Sequence, residues 1–286
     1  MRRRLAQPTH GWRHSPPRVA VVIPAGGSGT RVGGRVPKQF LTIRGEPILL
    51  TTARRFACHP AVDLVVIAAP AAHVARTRRM LRPLSRRVRL SVVEGGAERQ
   101  ESVWRALQAI PDTLEIIVVH DAVRPFVSRG LIDQVLGAAV ETGAALCACP
   151  IADTVKRVAE GLVAETLDRR GLWAVQTPHG FRAALLREAH DKARREGVVG
   201  TDDAMLVERL GQPVRVVPGL AANVKITTQE DLRRARAAGS KGSMRRFPPG
   251  APRAGHPRRE PGGDTQPRAP RAGHPRREPG GDAPLQ

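Results

Sequence analysis

The sequence has no Tyr, five Phe and three Trp in 286 residues. Proteins that hold single-stranded nucleic acid or RNA stack bases on aromatic faces, and this chain has few to offer. Cysteine is also scarce. Cys58, Cys147 and Cys149 are an odd number in a long chain, which argues against a disulfide framework. Cys147 and Cys149 lie in the apolar run 144–151 with no Cys or His at ligand spacing nearby, so buried small side chains are expected rather than a zinc site. No apolar run approaches the roughly 18 residues that cross a bilayer. The start MRRR carries the charge of a signal n-region, but Pro8, His10, Arg13 and His14 follow where an apolar stretch belongs. A cytoplasmic protein is expected.

Acid is short as well: Lys+Arg 47 against Asp+Glu 26 gives a formal net charge of +21. A polymeric anion is the obvious partner for such a chain, so the location of the charge matters. Residues 1–18 hold five Arg and no acid, and residues 240–286 hold ten basic and four acidic residues. Removing both ends leaves 21 − 5 − 6 = +10 on residues 19–239. The C-terminal 47 residues contain 18 Pro or Gly and, from the set Leu, Ile, Val and Phe, only Phe247 and Leu285. Such a segment buries too little apolar surface to offset its ordering entropy, and disorder is expected for both ends. The unit APRAGHPRREPGGD occupies 251–264 and returns unchanged at 269–282. Having no hydrophobic face, it reads as a duplicated linker and not as a solenoid.

Between the ends, short β-branched runs at 19–23, 64–69, 88–93, 116–120 and 144–150 alternate with helix-like segments near 47–58, 71–82, 98–110 and 129–141. Val103, Leu107 and Ile110 fall on one helical face. Near-continuous apolar strands between amphipathic helices predict a mainly parallel sheet with helices on both faces. Residues 153–176 break the rhythm with a turn-like Glu160-Gly161, and an inserted arm or hairpin is expected there. Helices near 182–196 and 202–210 follow, the second with Thr201 as its N-cap, then a strand at 214–217 and a helix from Thr228 to about Ala238. One α/β domain over 19–239 is predicted.

The most informative segment runs from strand one into Ala25-Gly26-Gly27-Ser28-Gly29-Thr30-Arg31 and on to Pro37-Lys38-Gln39-Phe40. Glycines without a Cβ let backbone N–H groups approach phosphate oxygens. In a parallel sheet this position, past the carboxyl end of a strand, is where ligands bind. Gly27, Gly29 and Gly33 give G-x-G-x-x-x-G, one residue too long for a dinucleotide fingerprint, and no Walker G-K-[ST] exists. Two cations beside a nest of amides suit a triphosphate, although a tight turn with two solvated basic residues is the plainer alternative. Asp121 ends the fourth strand, where it could meet a ribose hydroxyl or a metal ion, or simply cap a turn. The glycines of Glu94–Ser102 could admit a flat base with Ser102 hydrogen-bonded to it, or form an ordinary loop. Arg169, Thr201 and Lys225 offer a fork, a hydroxyl and a point charge for phosphate, each also an ordinary surface residue taken singly. His179, after Thr177-Pro178, reads as a turn residue. No nucleophile elbow is present.

The series PAGGSGTR…PKQF, EGGAERQESV, VHDAVRP, DTVKRV, LDRRGLWAVQTPHGF, TDDAMLVERLG and NVKIT, in that order over residues 19–238, resembles the 2-C-methyl-D-erythritol 4-phosphate cytidylyltransferases of the non-mevalonate isoprenoid pathway. The resemblance implies a Rossmann-like nucleotidyltransferase fold, a homodimer, and transfer of CMP from CTP to a polyol phosphate with Mg²⁺ or another divalent cation. It implies that Arg31 and Lys38 are catalytic, stabilising the triphosphate. Arg169, Lys225, Thr154 and Thr201 would position the acceptor, with Thr154 and Arg169 delivered by the arm to the partner's site. Ala25, Gly26, Gly27, Gly29, Gly96, Ser102, Asp121 and Ala122 would surround the nucleotide. Metal ligands are not identified beyond Asp121 as a candidate and the CTP phosphates. Gly26 stands where many relatives have Ala, and Ala97 where many have a polar residue. D-ribitol 5-phosphate is the rival acceptor. The rival of another class is a nucleic-acid binder working through the basic ends, whose affinity would be salt-sensitive.

Overall fold

The computed structural model describes residues 17–26 and 36–237. The expectations for Gly27, Gly29 and Arg31, for the N-terminal extension up to residue 16, and for the repeat-bearing tail lie outside the described residues.

The chain alternates as its apolar pattern predicts. Strands β1 (Val19–Pro24), β4 (Val62–Ala69), β5 (Arg89–Glu94), β6 (Ile116–Val119), β7 (Ala144–Pro150), β10 (Trp173–Arg182) and β11 (Arg215–Pro218) form one sheet in the order β11-β7-β10-β6-β1-β4-β5. Six strands run one way; β10 alone runs against its neighbours β6 and β7. Between them lie α1 (Ile48–Ala57), α2 (Val74–Leu81), α3 (Arg99–Gln108), α4 (Arg129–Thr142), α5 (Ala183–Arg195), α6 (Asp203–Glu208) and α7 (Gln229–Ala237). A short hairpin of β2 (Thr42–Ile43) and β3 (Glu46–Pro47) precedes α1.

The apolar strands serve two cores at once because successive side chains point to opposite faces. Val19, Val21 and Ile23 pack with Phe56 of α1, Leu81 of α2 and Val135 of α4. Ala20 and Val22 pack on the other face with Val103 and Leu107 of α3 and Leu186 of α5. Each fully buried Val, Ile, Leu or Phe contributes roughly 1.5–3 kcal/mol relative to exposure, which is why these strands read as unbroken apolar runs. Cys147 is buried within the first core, as its neighbours led one to expect. Helix α4 starts on Ser128, whose side chain accepts from Leu131 N at 3.1 Å, and ends at Gly143 with φ +91°, a backbone conformation that favours glycine.

Three local expectations are corrected. The arm is the antiparallel pair β8 (Val155–Ala159) and β9 (Leu162–Leu167) joined at Glu160-Gly161, so residues 173–176 belong to the central sheet and not to the arm. His179 is not in a turn; it lies fully buried in β10, paired opposite Val119 and Leu146. The N-cap of α6 is Asp202, which accepts from Met205 N at 2.9 Å, while the Thr201 hydroxyl lies 3.8 Å from the Met205 sulfur. A carboxylate is the stronger acceptor for that N–H, and it also favours the helix dipole.

Candidate active site

The carboxyl ends of β1, β4, β5 and β6 share one edge of the sheet. From β1 the chain winds out one way through β4 and β5, while β6 lies on its other side, so a switch point falls beside β1. A cleft of about 370 Å³ opens there, walled by residues after β1 (Ala25, Gly26), after β5 (Ala97, Glu98, Arg99, Ser102) and after β6 (Asp121, Ala122, Val123), together with Lys38, Gln39 and Lys225.

Each wall is braced by its own sequence. Gln39 is buried and donates through Nε2 to Ala25 O at 2.6 Å, which ties the turn carrying Lys38 to the exit of β1. The hydroxyl of Ser102 accepts from Gly96 N and donates to Glu98 O, both at 3.0 Å. Ser102 therefore lines the cleft while holding the 95–98 loop in shape. A Cβ on Gly95 would come within 2.9 Å of its Oγ, so that approach depends on glycine, while one on Gly26 would make a tight contact of 3.1 Å. Glu101 accepts from Ala97 N at 2.9 Å and pairs with Arg105 at 2.7 Å one helical turn on.

Asp121 is the electrostatic centre. Its side chain meets Lys225 Nζ at 3.0 Å, Arg124 Nε at 3.3 Å and Arg99 Nε at 3.6 Å. Burial alone would raise its pKa; the opposing pull of Lys225, Arg99 and Arg124 is larger and holds it well below the usual carboxylate range. Arg99 also reaches Asp203 Oδ2 at 2.8 Å, and Asp203 Oδ1 takes His190 Nε2 at 3.0 Å. Asp203 is fully buried, yet its neighbours, Arg99 foremost, keep it ionised. An alternating chain of charge thus runs inward from the cleft: Lys225, Asp121, Arg99, Asp203.

Beneath Asp121 sits a polar lattice that sets its backbone. Burial pushes the His120 pKa down to about 4, so its ring is neutral near pH 7. Its Nε2 lies 3.0 Å from Arg124 O, which can only accept, so Nε2 carries the proton and Nδ1 accepts from the Thr177 hydroxyl at 3.1 Å. That same hydroxyl accepts from Asp121 N at 3.0 Å. Buried Asn223 donates through Nδ2 to Thr177 O at 2.8 Å and accepts at its backbone carbonyl from Arg124 Nη1 at 2.7 Å. Two residues on, Lys225 is delivered to Asp121, and Ile226 N donates to Val123 O at 2.9 Å.

Of the residues singled out in the sequence, Ala25, Gly26, Lys38, Ser102, Asp121, Ala122 and Lys225 line this cleft. Gly96 stands beside it, hydrogen-bonded to Ser102. Thr201 is exposed just before α6. Thr154 and Arg169 are exposed at the base of the arm, just outside β8 and β9, and are not among the cleft's lining residues; an Arg169 nitrogen donates to Ala152 O. The structure adds Arg99, Arg124, Asp203, Asn223 and Gln39, which no sequence motif singles out as site residues. Arg99 did carry a signal: a cation in the first turn of a helix opposes the dipole and needs carboxylates to hold it there.

Comparison with known proteins identifies the family of the chain. Residues 19–239 match the family described as 2-C-methyl-D-erythritol 4-phosphate cytidylyltransferase. A protein of that name from Symbiobacterium thermophilum is 49% identical over 216 residues, covering 75% of this chain and 90% of the relative. One from Syntrophus aciditrophicus is 43% identical over 218 residues, covering 76% and 93%. The crystal structure of the 2-C-methyl-D-erythritol 4-phosphate cytidylyltransferase from Thermus thermophilus superposes with a TM-score of 0.65 at 39% identity, covering 77% of this chain and 98% of that one. This chain belongs to the 2-C-methyl-D-erythritol 4-phosphate cytidylyltransferase family.

Proposed function

We propose that this protein transfers the CMP group of CTP to 2-C-methyl-D-erythritol 4-phosphate, giving 4-diphosphocytidyl-2-C-methyl-D-erythritol and pyrophosphate. The observation that carries the reading is the meeting of Lys225, Asp121 and Arg99 in the same cleft as Lys38 and Gly26, at the switch point of the sheet.

An ionised oxygen of the acceptor's phosphate attacks the α-phosphorus of CTP. The bond from that phosphorus to the oxygen bridging the β-phosphate breaks, and its electron pair leaves with pyrophosphate. No proton has to be removed from the nucleophile, so no general base is needed. A cleft whose nearby His120 is buried, neutral and hydrogen-bonded through both ring nitrogens suits that chemistry. The difficulty is to bring two polyanions together, and fixed cations and amides meet it. Lys38 and Arg31 serve the triphosphate; Lys225 serves the acceptor phosphate.

Among the described residues, no three His, Cys, Asp or Glu side chains converge as a metal cage. A divalent cation, Mg²⁺ in this reading, would be held chiefly by phosphate oxygens of CTP, with Asp121 as the buried carboxylate able to join them. When bound, it neutralises phosphate charge.

The arm supports a homodimer. Val158, Leu162 and Val163 are 58, 76 and 62% exposed, an apolar display that one chain leaves uncovered. With Thr154 and Arg169 on the same arm, the second subunit supplies the rest of the acceptor site. No described helix is long and apolar enough to cross a membrane, and a cytoplasmic location follows from the reading as a whole.

The deciding assay is pyrophosphate release with CTP across a panel of polyol phosphates. Release with the methylerythritol phosphate well above that with D-ribitol 5-phosphate is expected. Preference for the ribitol ester would reassign the acceptor, and no release with any would reject the function.

A further inference from the structure

A second cavity, of about 440 Å³, is larger than the catalytic cleft and is not used by the transfer reaction. Its wall is built from the outer side of α1 with Arg54, Arg55 and Cys58, the β2–β3 turn with Arg44, and Arg129 at the start of α4. Four guanidinium groups therefore share one cavity with a single carboxylate, Glu46. Glu46 is committed to Arg54, with two contacts of 2.5 and 2.7 Å. His59, also in the wall, is driven below its ordinary pKa by burial, so it adds little charge at neutral pH. Arg55 is anchored through Nε to Pro125 O at 3.2 Å, and Arg129 Nε stands 3.9 Å from Asp133, the limit of an ion pair.

Four guanidinium groups against Glu46 in the wall, with Asp133 set behind Arg129, leave a concave wall of net positive charge, which is an anion site in its electrostatics. Arginine forks match phosphate oxygens in pairs. The size of the cavity and its several guanidinium groups suit a diphosphate better than a single phosphate. The cavity lies against the same two segments as the cleft, which contribute Lys38 and Asp121 to the cleft and Arg44 and Arg129 to the cavity. We propose that this cavity is a second, non-catalytic site that binds a diphosphate group, either free or at the end of an organic ester.

Cys58, exposed in the wall, is a built-in reporter. The full-length protein, with CTP saturating so that the catalytic cleft is filled, is alkylated with iodoacetamide over a series of inorganic pyrophosphate concentrations. A short-chain alkyl diphosphate is tested in parallel, and the Cys58 peptide is followed by mass. Alkylation is expected to slow at least about fivefold at saturation. The protection midpoint should rise about tenfold in Arg44→Ala and in Arg129→Ala, the worth of one charge-assisted hydrogen bond, with turnover unchanged. A lower midpoint for the alkyl diphosphate assigns an ester as the occupant; equal midpoints assign the free ion. The proposal is overturned if neither probe slows alkylation. It is equally overturned if both Arg variants keep the wild-type midpoint, or if protection seen without CTP vanishes when CTP is added.

Discussion

Asp121 shows how one side chain can depend on residues the chain keeps far from it. Its three cations come from the start of α3, from the turn after β6 and from the loop before α7. Removing a partner from a buried pair leaves the other charge uncompensated, which costs about 3–5 kcal/mol. Asp203→Asn should therefore lower stability by that amount in urea unfolding. It should also raise the KM for CTP, because Arg99 loses its inner anchor; Asp203→Glu should recover part of both. Lys38→Ala tests the triphosphate site and should lower turnover by about two to three orders of magnitude, measured as pyrophosphate release from the purified variant. His120 has a pH signature. Its pKa is depressed to about 4 in the folded protein, so the unfolded chain binds the extra proton first as pH falls below about 6.5. Stability from this group is complete above that value and is lost as pH falls toward 4. Between pH 7 and pH 5 the loss is about 2 kcal/mol, read as a drop in urea midpoint that His120→Gln should flatten.

At the scale of elements, what could be read from the sequence depended on whether an element is held locally or by its neighbours. The β1 run, the Glu160-Gly161 turn and the Val103–Leu107–Ile110 face were all legible, because periodicity and turn chemistry are local. Strand β10 was not. Thr177-Pro178-His179-Gly180 has the composition of a turn, and it continues as strand because β6 and β7 pair with His179 and Gly180 from both sides. The same misreading extended the arm to residue 176. The arm itself is a two-stranded hairpin, which is at best marginally stable alone, so its exposed valines and leucine need a partner surface. Arg169→Ala on that arm should weaken use of the polyol phosphate while sparing CTP binding. If the arm serves the other subunit, mixing Arg169→Ala with Lys38→Ala protein should restore activity, since mixed dimers then hold one intact site. Mixtures no more active than their components would place Arg169 in its own subunit's site.

For the molecule as a whole, the +21 net charge is a poor guide to function. The family match ends at residue 239, so the basic repeat beyond it lies outside the matched region. Deleting residues 240–286 should leave turnover unchanged in the pyrophosphate assay. A nucleic-acid-binding role would instead appear as salt-sensitive affinity lost on that deletion. The sequence by itself determined the layered α/β class, the glycine loop at the exit of β1 and the motif order that marks the family, since each is written in short stretches of neighbouring residues. Only the tertiary structure decided that Arg99, Asp121, Asp203 and Lys225 form one chain of charge, and that a second arginine-lined cavity lies along the segments bearing Lys38 and Asp121. The strength of an ion pair depends on separation and burial, and distance along the chain specifies neither.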